Sequence, residues 1–79
     1  MSAASALLRQ LEATFQLIRA LSPSLSVSEL MDISRILALT YGFVEVTLER
    51  NDNTRGVTFA GRFRDRSYKL LLNPLRSQP

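Results

Sequence analysis

Seventy-nine residues, 46% hydrophobic and 22% charged, suffice for one globular domain with one core and are too few for two. Neither cysteine nor histidine occurs, which excludes disulfides, Cys/His zinc sites, thiol nucleophiles and the usual general base near neutral pH. The net charge of +3 is unevenly spread: residues 1–49 hold three arginines against five acids, and residues 50–79 hold seven basic side chains against Asp52 and Asp65. Such asymmetry favours an acidic partner, and nine of the ten basic residues are arginines, which suit bidentate contacts to carboxylate or phosphate.

The first residues carry no basic run, and Arg9 and Glu12 interrupt the apolar stretch, so no signal peptide is expected. The longest strictly apolar runs, Ile36–Leu39 and Leu70–Leu72, are far short of a membrane span. With no disulfide staples at this size, the reading is a soluble, cytoplasmic protein with no membrane role.

From about Ala3 to Leu21, apolar residues recur at Leu7, Leu8, Leu11, Phe15, Ile18 and Leu21, with Ala4 and Leu17 at the edges. That spacing predicts an amphipathic helix with Arg9, Glu12, Gln16 and Arg19 opposite. Its apolar face is wide for a short chain, so Leu8, Leu11, Phe15 and Ile18 are candidates for a surface shared between core and a dimer or partner interface. Pro23 breaks the helix. Ser26-Val27-Ser28-Glu29 has capping-box spacing and starts a second helix just after Ser26. Leu30, Ile33, Leu37 and Tyr41 form its expected buried stripe, flanked by Met31, Ile36 and Ala38, with Gly42 as the stop.

Beyond Gly42 the apolar period changes from 3.6 to 2. Val44, Val46 and Leu48 alternate with Glu45, Thr47 and Glu49. After the polar turn run Asn51–Thr54, the alternation resumes from Gly56, with Val57, Phe59, Gly61 and Phe63 on one face and Thr58, Ala60, Arg62 and Arg64 on the other. Asp65-Arg66-Ser67 predicts a short turn, and Tyr68–Leu72 a third strand that ends at Asn73-Pro74; residues 74–79 read as a loose tail. Gly61 marks a bulge or a close approach, with Phe15 as the expected neighbour. On this parity Phe43 and Leu71 are apolar exceptions on the outer face. The expected fold is α+β: an N-terminal αα-hairpin packed on one face of a three-stranded antiparallel meander, in the order α-α-β-β-β, as one domain over residues 1–79.

No catalytic set emerges. Glu45 and Glu49 lie on one strand at roughly 13 Å by strand rise, beyond the spacing of a glycosidase pair. Ser22, Ser24, Ser26 and Ser28 have no base nearby, and Gly42, Gly56 and Gly61 form no phosphate loop. No cofactor, metal or enzymatic activity is expected. A helix-turn-helix lacks room for a recognition helix, because a strand begins near Phe43.

What remains is the basic stretch. Arg62 and Arg64 share a strand face, with Arg55, Arg66 and Lys69 at its ends, and Glu45 and Glu49 are available to balance the middle. The expectation is a small non-enzymatic protein-binding module, a regulator, adaptor or inhibitor acting by surface occlusion, in the form of a homodimer with an acidic partner protein. The alternative is a nucleic-acid-binding protein using the Arg-rich outer sheet face, with Phe43, if exposed, as a stacking platform.

Overall fold

The computed structural model describes residues 2–53 and 56–72. Two helices, α1 (Ala3–Leu21) and α2 (Val27–Tyr41), precede three strands, β1 (Val44–Asn51), β2 (Gly56–Phe63) and β3 (Arg66–Leu72). The strands form one open antiparallel sheet in the order β1-β2-β3, and the helices pack against one face. α1 contacts β3 and α2 contacts β1. Among the described residues, no helix is long and apolar enough to cross a membrane.

Both helices have built ends. Ser2 caps α1, its Oγ accepting from the amide of Ser5 at 3.1 Å. At α2 the capping box is complete: Ser26 Oγ accepts from the Glu29 amide at 3.1 Å, and Glu29 Oε1 accepts from the Ser26 amide at 2.9 Å. These bonds favour the ionised carboxylate, so the Glu29 pKa lies below its ordinary value. Gly42 ends α2 in the left-handed region at φ +106°, and a side chain there would also meet the Phe63 ring at 3.3 Å. Between the helices, Arg19 Nη1 donates to Leu25 O at 3.0 Å.

The core joins Leu11 and Phe15 of α1, Leu30 and Ala38 of α2, and Phe43, Val46, Leu48, Val57, Phe59 and Leu72 of the sheet side. Two expectations change here. The innermost stripe of α2 is Leu30, Ser34 and Ala38, with Ile33, Leu37 and Tyr41 half-buried beside it and Ile36 exposed. Ser34 can be buried because its hydroxyl donates to Leu30 O at 2.8 Å, which satisfies it within the helix.

The second change is at the start of β1. Phe43 is 1% exposed and Val44 is 43% exposed, the reverse of strict alternation. The register with β2 shifts between Val44 and Thr47, and Glu45 takes φ +53°. This is a β-bulge: one extra residue on β1 resets the parity, so Phe43 and Val46 both reach the core. Phe43 then contacts three other rings, Phe59 and Tyr68 edge-on at 5.6 and 6.2 Å and Phe63 tilted at 5.1 Å. Gly61 makes room for this cluster. A Cβ at Gly61 would lie 3.0 Å from Phe59 and 3.5 Å from Phe43 and Val46, so the close neighbours are these residues and the bulge lies in β1.

Candidate functional site: the basic end of the sheet

The turn between β2 and β3 is Arg64-Asp65, with Phe63 paired to Arg66, so β3 begins two residues earlier than its pattern predicts. Arg64 therefore sits in the turn, at φ +60°, and is not part of the strand face. Its guanidinium lies over the Phe63 ring, 5.1 Å from the centroid.

The bulge also decides the fate of Arg62. It turns Glu45 so that Arg62 Nε and Nη2 donate to Glu45 Oε1 and Oε2 at 3.1 and 3.3 Å, a two-pronged pair across the strands. Arg62 Nη1 donates further to Arg64 O at 3.3 Å, which ties the pair to the turn. Glu49 is too far along β1 to share this role, since it stands opposite Thr58. Among the described residues, no carboxylate lies within ion-pair distance of Arg64, Arg66 or Lys69, and all three are exposed.

The basic set thus divides into a neutralised member, Arg62, and three unneutralised cations around one hairpin. Asp65 is the only acid in that turn, and it is exposed. Beside them runs an open groove of about 460 Å³, lined by Arg62, Glu45, Ala60, Gly61, Ser67, Tyr68 and Lys69. Arg55 lies outside the described residues, as do residues 74–79.

The apolar candidates separate differently. Leu11 and Phe15, at 0% and 1% exposure, are closed inside the chain's own core and offer no surface to a partner. Leu8 and Ile18 are half-buried against that core. The large hydrophobic residues that do face outward are Leu17, Leu21, Ile36, Leu39, Val44 and Leu71. Leu17 and Leu21 stood at the edge and end of the predicted α1 stripe and Ile36 at the flank of the α2 stripe. Phe43, buried beneath the bulge, provides no stacking platform on the outer face.

No family model matches this chain, and no match is found among the curated proteins or the solved structures.

Proposed function

We propose that this chain is a small non-enzymatic protein-binding module, a homodimer that engages an acidic partner protein through the β2–β3 hairpin and acts by occluding the surface it covers. The observation that carries the reading is the division of the basic residues: Glu45 neutralises Arg62, while Arg64, Arg66 and Lys69 are left exposed with no acid to pair with among the described residues. Exposed cations of one sign steer an oppositely charged surface and fix its register more than they add affinity. Arginine held over Phe63 has its planar face already oriented, which lowers the ordering cost of a bidentate contact to carboxylate. A nucleic-acid reading loses its aromatic element, because Phe43 and Phe59 are buried and Phe63 is covered by Arg64.

The test is an affinity capture from native cells with nuclease treatment, comparing the wild type, Arg62→Ala and an Arg64→Ala/Arg66→Ala double variant. The expected result is an acidic protein retained by the first two and lost with the third. Nuclease-sensitive retention would favour nucleic acid instead, and equal retention by all three would remove the hairpin from the interface.

A further inference from the structure

An open three-stranded sheet has two edges, and this one treats them differently. On β1 the ladder is broken by the bulge at Glu45, and α2 reaches over it: Arg35 Nη1 donates to Val46 O at 2.9 Å. Bulges and charged side chains at the edge are the means by which proteins keep an edge from pairing. β3 has neither. It pairs with β2 at all seven positions without a shift and contains no proline or glycine, and among the described residues no hydrogen bond reaches its outer side. Because Phe63 and Arg66 close a two-residue turn, alternate residues Ser67, Lys69 and Leu71 direct their backbone groups outward.

We propose that the outer edge of β3 is the self-association surface, where a second copy adds its own β3 antiparallel to make one six-stranded sheet. This deepens the homodimer part of the reading above and rests on it. Two features identify a second copy as the occupant. The first is that β3 has an antiparallel register in which it complements itself. With Leu70 facing the partner's Leu70, Tyr68 meets the partner's Leu72 on the helix side, and Lys69 meets the partner's Leu71 on the outer side. A shift that centres on Lys69 would oppose two like charges, which is unfavourable. Leu71, 45% exposed on an otherwise polar face, gains the stem of the partner's Lys69 as cover.

The second feature is closure. With β1 guarded, β3 cannot continue onto β1 of another copy, so only the isologous contact remains and growth stops at two. α1 supports the same geometry. It is the helix that contacts β3, and it carries an exposed, uncharged row at heptad spacing, Ala3, Ala6, Gln10, Ala13, Leu17 and Ala20. Such a row tolerates a neighbouring helix at short range.

Sedimentation equilibrium of the full chain at micromolar concentration tests this. The wild type is expected to be a dimer. Leu71→Lys, which brings like charges together twice, should raise the dissociation constant by about tenfold or more, whereas Leu71→Glu, beside the partner's Lys69, should leave it unchanged or lower. Lys69→Pro removes an outward amide without touching the β2–β3 ladder and should give a monomer with an unchanged circular dichroism spectrum. If proline disrupts the fold, the two Leu71 variants carry the test. A monomeric wild type would overturn both the edge assignment and the homodimer. A dimer equally tight in Leu71→Lys and Leu71→Glu would overturn the edge assignment and leave self-association standing.

Discussion

Phe43 shows how much one residue's placement governs here. It joins the ring cluster of Phe59, Phe63 and Tyr68 in the core, and its neighbour Val44 faces outward. Phe43→Ala should therefore cost about 3–5 kcal/mol in chemical denaturation, by lost transfer energy and a residual cavity. Val44→Ala should stay within about 0.5 kcal/mol. Strict alternation predicts the opposite order, so the pair of variants tests the bulge directly. The sequence could not reveal this inversion, because Val44, Val46 and Leu48 continue the alternation perfectly and a bulge adds a residue without changing composition. The signal that was legible is Gly61: a glycine in mid-strand marks a large neighbour, although that neighbour is Phe43 and not Phe15. Ser34 was hidden for a similar reason, since a hydroxyl satisfied inside its own helix looks polar in sequence and behaves as core.

At the scale of elements, the ends of both helices were readable because capping is local chemistry. Ser26 and Glu29 sit at the required spacing, and Gly42 meets a positive φ that other residues resist. The Glu29 carboxylate gives α2 a pH dependence. Its folded-state pKa lies below the unfolded value, so the charged cap contributes stability above the unfolded value and loses it as pH falls through the folded one. Glu29→Gln keeps a side-chain acceptor without titrating there. The wild type's advantage over this variant should shrink on acidification through the carboxylate range, measured by thermal melts across pH. An advantage that grows toward low pH would contradict the capping account. The boundary of β3 was less legible: Arg64 takes a left-handed conformation more usual for glycine or asparagine, so the turn carries no local signature.

For the molecule as a whole, the order α-α-β-β-β and the packing of helices on one sheet face follow from the change of period at Gly42. The charge asymmetry was visible in the sequence, but its division was not. That required the bulge to bring Glu45 to Arg62, a pairing across 17 residues of chain. The consequence is a basic end at the hairpin, beside a groove, with Arg62 neutralised by Glu45. Surface pairs such as Arg62–Glu45 contribute little to stability, about 0–1 kcal/mol. The pair's effect in this account is on where an acidic surface can bind. The most direct measurement is a backbone amide NMR titration with a glutamate-rich peptide at low salt. The account predicts shifts centred on Arg64, Arg66, Ser67 and Lys69, abolished in the Arg64→Ala/Arg66→Ala variant and preserved in Arg62→Ala. Absence of any shift, or shifts centred on α2 and unaffected by the double variant, would contradict it.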